Sequence, residues 1–226
     1  MITEHSSPRP DLVIFDCDGV LIDSELVQRR IDAELFTMFG YPVTAEELVR
    51  EFAGRTTADV RQHIERTIGR NFPADFGEQR MRRVDEAYRK EVKTTAGIRE
   101  VLTELDIPFC VASNARTFRL RHFLGLTGLL ALFEPNVFGA DLVDRPKPAP
   151  DLFLLAARRI GVSPARCLVI EDSVPGITAA IAAGMRAIGF YGGAHCFKGH
   201  EQQLVAAGAS AVFNNMNDLK RLIADR

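Results

Sequence analysis

The fold is decided by residues 11–25, DLVIFDCDGVLIDSE. The run Leu12-Val13-Ile14-Phe15 is short, apolar and rich enough in β-branched residues to be a fully buried strand. It stops at Asp16, a second carboxylate follows at Asp18, and Gly19 allows a sharp turn before a helical pattern that starts near Ser24, a candidate N-cap. Asp and Gly are ordinary turn residues, so this loop read alone is also compatible with plain solvated coil. Two carboxylates at the end of a buried strand repel each other and are costly to desolvate, and a bound cation or a shared proton relieves both.

Outward from this stretch, residues 26–39 carry a helical pattern in which Leu26, Ile31, Leu35 and Met38/Phe39 can line one side. Residues 41–93 read as purely helical, and the Arg80/Arg82/Arg83/Arg89 run reads as a solvated helix face. Beyond Gly97, short apolar runs alternate with helical patterns: PFCVAS, CLVIED, MRAIGF and SAVF, each followed by a helix-like segment. That alternation is the signature of a parallel sheet with helices on both faces. The expected architecture is a Rossmann-like α/β core over 1–24 and 94–226, with an all-helical domain inserted over 25–93.

Open parallel sheets collect ligands at the carboxyl ends of their strands. Three of the expected strands end there in polar residues: Asp16 and Asp18, Ser113 and Asn114, and Glu171 and Asp172. Lys147 precedes a further helix, DLFLLAARRI. Up to four carboxylates with no clearly paired His or Cys suit a hard divalent cation, and a few carboxylates with waters and a substrate phosphate suit Mg²⁺. With Lys147 as a compact positive charge and Ser113 and Asn114 as neutral donors, such a site fits a dianionic phosphoryl group. Asp16 can then act as in-line nucleophile and Asp18 as the acid on the leaving oxygen.

The motifs DCDGVLIDSE (16–25), VASNA (111–115), RPKPAPDLF (145–153) and VIEDSVPGITAAIAAGM (169–185) together resemble the haloacid dehalogenase superfamily of phosphohydrolases, in the branch with a helical cap after the first strand. The resemblance implies an aspartyl-phosphate on Asp16, and Asp18 as general acid/base whose carbonyl faces the metal. It also implies Ser113 and the amide near Asn114 on the phosphate, Lys147 on the nucleophile, and Asp16, Asp18 and Asp172 as Mg²⁺ ligands. Glu171 is either a further ligand or an outer-shell partner. Asp18 argues against the metal-free dehalogenases, which lack the second aspartate. Lysines absent from the region around Gly54 argue against the phosphonate-cleaving relatives.

The expected function is a Mg²⁺-dependent phosphatase acting on a small sugar phosphate or phosphorylated sugar acid. Arg55 and Glu25 are candidate substrate contacts. The alternative is a mutase similar to β-phosphoglucomutase, disfavoured because Thr57 stands where those enzymes carry a cap arginine. A non-catalytic binding module ranks lower, since Asp16, Asp18, Lys147 and Asp172 are all present.

The 226 residues carry a net charge of −2, which offers no basic surface for nucleic acid and no polybasic membrane signal. No apolar run is long enough to span a membrane. A monomer or weak homodimer is expected. Cys17, Cys110, Cys167 and Cys196 are widely spread, which fits free thiols in the cytoplasm. His195, Cys196 and His200 lack an obvious fourth ligand, so no soft-metal site is expected from them.

Overall fold

The computed structural model describes residues 9–52 and 57–224. The chain forms two compact units, one from Met1–Ile22 with Thr94–Arg226 and one from Asp23–Lys93.

In the first unit, β1 (Leu12–Phe15) has every residue buried, as an apolar run without polar interruption requires. The second unit holds α1 (Glu25–Met38), α2 (Ala45–Glu51), α3 (Thr57–Ile68) and α4 (Phe76–Glu91). The first unit then resumes with α5 (Ile98–Glu104), β2 (Phe109–Ser113), α6 (Thr117–Leu126), α7 (Leu130–Phe133) and β3 (Val137–Gly139). It continues through α8 (Asp151–Ile160), β4 (Cys167–Glu171), α9 (Val174–Ala182), β5 (Arg186–Phe190), α10 (His200–Ala206), β6 (Ala211–Phe213) and α11 (Leu219–Ala224).

Among the described residues six strands form one sheet in the order β3-β2-β1-β4-β5-β6, and these strands pair in parallel. β1 sits centrally, with Phe15 beside Val111 of β2 and Ile170 of β4. The alternation of side chains along each strand builds two layers. Leu12, Ile14, Cys110, Ala112 and Val169 pack with Leu152, Phe153, Ile177 and Ala180 from α8 and α9. On the other side of β1, the Phe15 ring meets Phe109 and Phe133 edge-on at 6.2 and 6.3 Å. The carboxyl ends of β1, β2 and β4 therefore open along one edge of the sheet, two of them adjacent to the central strand.

The helical unit buries Phe36, Phe72 and Phe76 as an aromatic cluster, with Phe72 and Phe76 stacked at 4.3 Å. Two details differ from the helical pattern read in the sequence. Leu26 and Met38 of α1 are exposed, whereas Asp32 and Phe36 are buried. The buried Asp32 carboxylate is matched by Arg80 of α4, which bonds both of its oxygens at 2.5 and 3.0 Å. Arg80 thus belongs to the interior of this unit and not to a solvated face. Ser24 occupies the N-cap position of α1 but makes no side-chain cap, because its backbone is already in the helical region. Among the described residues no helix is long and apolar enough to cross a membrane.

Candidate active site

Asp16 is the first residue beyond β1, and its backbone N–H donates to the Ile170 carbonyl of β4, fixing it at the sheet edge. The next turn is made by Gly19 at φ +80°. A Cβ there would lie 2.0 Å from Asp172 Oδ2, so both the conformation and the space exclude a larger residue. β4 ends in Glu171, and Asp172 follows. Asp16, Glu171 and Asp172 are buried, and one oxygen from each lies within 4.8 Å of the others.

Lys147 reaches this group from the segment ahead of α8. Its Nζ donates to Asp16 Oδ1 at 2.6 Å and to Glu171 Oε1 at 2.7 Å. The ammonium also stands 4.7 Å from the centre of the Phe153 ring. Burial alone would push this amine down, but Asp16 and Glu171 outweigh it and hold Lys147 firmly protonated. Asp16 is also shifted upward, but for the opposite reason. Burial drives its carboxyl well above the usual range, Lys147 opposes that, and the charges of Glu171 and Asp172 add to it.

Both oxygens of Glu171 accept hydrogen bonds. Oε2 accepts from the Ser173 N–H at 2.9 Å and the Ser173 hydroxyl at 2.8 Å, while Oε1 holds Lys147. The Ser173 hydroxyl in turn accepts from the Gly176 N–H and so caps α9. A Cβ on Gly176 would sit 1.8 Å from Glu171 Oε1, so this glycine makes room for the carboxylate. These contacts make Glu171 a partner that positions Lys147.

Asn114 is likewise engaged at both ends. Its Oδ1 accepts the Lys147 N–H at 2.9 Å, and its Nδ2 donates to the Lys147 carbonyl at 3.0 Å. The carboxamide therefore grips the Lys147 backbone, and the buried Ser113 beside it accepts from the Ala115 N–H at 3.2 Å. Asp18 is half-buried two residues beyond Asp16, and its backbone bridges to Ile22. Its carboxylate is not one of the three clustered with Lys147.

Glu25 belongs to the helical unit, where it opens α1 and lies 3.7 Å from Arg29. Arg55 and Gly54 fall outside the described residues.

Two residues that were assigned no role from the sequence meet this site. His195 Nε2 lies 2.9 Å from Asp172 Oδ2, and His200 Nε2 donates to the Asp172 carbonyl at 2.6 Å. Both follow β5, whose carboxyl end lies on the same edge as the acidic residues. A polar residue after a buried parallel strand was the available signal.

The donor set fits a hard divalent cation. Three buried carboxylates face one ammonium, which leaves surplus negative charge that a cation would neutralise, and every available donor of the cluster is an oxygen.

The model of one family, described as haloacid dehalogenase-like hydrolase, matches residues 10–184. The 6-phosphogluconate phosphatase of Escherichia coli K12 is 29% identical over 215 residues, covering 95% of each chain. The fructose-1-phosphate phosphatase of the same organism is 33% identical over 185 residues, covering 78% of this chain and 94% of that one. The crystal structure of a conserved haloacid dehalogenase-like protein from Agrobacterium tumefaciens C58 superposes with a TM-score of 0.88 at 41% identity, covering 95% of this chain and 98% of the other. With its six-stranded parallel sheet, its acidic edge and these relatives, the chain belongs to the haloacid dehalogenase-like hydrolases.

Proposed function

We propose that the protein is a Mg²⁺-dependent phosphatase that hydrolyses a small phosphorylated sugar or sugar acid through an aspartyl-phosphate on Asp16. The observation that carries this reading is the buried triad of Asp16, Lys147 and Glu171, with Asp172 beside it. Lys147 holds the Asp16 carboxylate from one oxygen, leaving the other to attack phosphorus in line. The P–O bond to the sugar breaks as the Asp16–phosphorus bond forms, and Asp18 donates the proton that the departing alkoxide needs. Asp18 then takes a proton from water as that water attacks the phosphoryl group, releasing phosphate and restoring Asp16.

Asp16, Asp172 and the Asp18 carbonyl would hold Mg²⁺, which when bound supplies charge neutralisation to the transferring phosphoryl group. Lys147 and the donors around Ser113 and Asn114 add to that neutralisation from the protein side. The substrate class follows the named relatives, whose activities are on 6-phosphogluconate and fructose 1-phosphate. The helical unit inserted after β1 would carry substrate discrimination, with Arg55 pairing a second anionic group and Glu25 meeting sugar hydroxyls. We read the enzyme as cytoplasmic, in keeping with four free thiols.

The test is phosphate release across phosphorylated sugars, sugar acids and nucleotides, with Mg²⁺ or EDTA, for the wild type and Asp16→Asn. Mg²⁺-dependent turnover that disappears in the variant is expected. Silence with every phosphate ester, together with isomerisation of a hexose phosphate, would overturn hydrolysis in favour of mutase chemistry.

A further inference from the structure

The segment between β5 and α10 brings three soft donors together. The His195, Cys196 and His200 side chains each offer a ligand atom within 4.8 Å of the other two. Cys196 Sγ stands 3.6 Å from His195 Nε2, a nitrogen that also faces Asp172 Oδ2 at 2.9 Å. His200 shows the second feature of a ligand. Its Nε2 is fixed by the Asp172 carbonyl, so in the neutral ring that nitrogen carries the proton and Nδ1 keeps a lone pair. That Nδ1 is buried and has no hydrogen-bond partner, and the same is true of His195 Nδ1. Metal-binding imidazoles are held this way, one nitrogen donating to a carbonyl or carboxylate and the other directed at the ion. Buried imidazole nitrogens without partners are costly unless something occupies them.

The chemistry of the donors differs from that of the neighbouring acidic group. Sulfur and imidazole select zinc-like ions over Mg²⁺, whereas the oxygens of Asp16 and Asp172 select the reverse. Burial raises the Cys196 thiol, but the two neighbouring imidazoles outweigh that and hold it below the ordinary thiol value. One thiolate, two neutral imidazoles and a divalent ion sum to +1, placed beside a cluster with surplus negative charge.

We propose that His195, Cys196 and His200 form a second metal site, selective for a soft divalent cation of the zinc type, with the fourth position open to water. The site is separate from the Mg²⁺ site proposed above and shares only its neighbour Asp172, through the contacts to His195 and His200.

The direct test is zinc-edge X-ray absorption on the full-length wild-type protein loaded with one equivalent of Zn²⁺ in the presence of Mg²⁺. A shell with one sulfur at about 2.3 Å and nitrogen or oxygen at about 2.0 Å is expected. A shell of oxygen and nitrogen alone would overturn the proposal. Co²⁺ titration supplies an independent reading, because a thiolate-to-cobalt charge-transfer band requires Cys196. The band should appear in the wild type and in Asp16→Asn, and vanish in Cys196→Ser. Zn²⁺ affinity should fall at least about tenfold in His200→Ala. A band lost in Asp16→Asn, or affinity unchanged in both Cys196→Ser and His200→Ala, would place the ion elsewhere. Circular dichroism of each variant separates loss of the site from loss of the fold.

Discussion

Replacing Lys147 with methionine isolates the electrostatic role of the ammonium, because methionine keeps an unbranched stem over the Phe153 ring. In the wild type that ammonium donates at 2.6 Å to Asp16 and at 2.7 Å to Glu171, and all three groups are buried. Lys147→Met leaves two adjacent buried carboxylates with no cation between them. Removing one partner of a buried ion pair costs about 3–5 kcal/mol, mostly as the desolvation of the charge left behind. At about 2–4 °C per kcal/mol for a chain of this size, the α/β unit should melt roughly 6–20 °C lower. The assay is thermal unfolding at neutral pH in EDTA. Added Mg²⁺ should recover part of the loss, since it binds the folded state and neutralises the same carboxylates. A melting temperature within about 2 °C of the wild type in EDTA would refute the reasoning, because the pair would then contribute no more than an exposed one.

The same site sets a pH dependence. The folded Asp16 carboxyl has a raised pKa, so without metal the folded state holds this proton to higher pH than the unfolded chain, and stability falls as pH rises through the folded value. His195, pushed up from 6.5 to about 11, adds stability that is full below 6.5 and is lost as pH rises towards that higher value. Melting in EDTA should therefore drop as pH rises from about 6.5 to about 9, a window set by His195, and flatten with Mg²⁺; a rise over that interval would contradict the His195 assignment. Asn114→Ala should lower kcat by about 10–100-fold with little change in KM, because the carboxamide grips Lys147 and would act through it. Steady-state kinetics showing the reverse, KM raised and kcat intact, would make Asn114 a direct substrate contact. In the helical unit, Arg80→Met should cost about 3–5 kcal/mol by orphaning Asp32, and Asp32→Leu with Arg80→Met should recover most of it. Urea unfolding of both variants checks this, and equal losses would sink the buried-pair account.

What could be read from the sequence divides along physical lines. β1, β2, β4 and β5 are apolar runs with turn residues after them, so their carboxyl ends, and with them Asp16, Ser113, Glu171 and Asp172, could be assigned to one edge. β3 escaped notice because three residues, Val137–Gly139, give no periodicity. Pairwise chemistry was also out of reach. Nothing in the spacing of Lys147 and Glu171 says that one holds the other, or that Asn114 spends its side chain on a backbone 33 residues away. Arg80 read as a surface residue, since a helix pattern places charges on its polar face by default. Only the packing of α1 on α4 shows that its face is the interior. His195 and His200 were visible as residues but not as neighbours of Asp172, because the path of the segment after β5 is set by tertiary contacts.

The central claim is that Asp16 is phosphorylated during turnover. Protein quenched in acid during steady-state hydrolysis, treated with borohydride and digested, would show the account's result directly: reduction of an acyl phosphate converts Asp16 to homoserine in the peptide that carries it. The account predicts that conversion in the wild type with Mg²⁺ and substrate, and its absence without substrate. Rapid turnover with Asp16 unmodified under the same quench, or with the reduction product at another carboxylate, would contradict it.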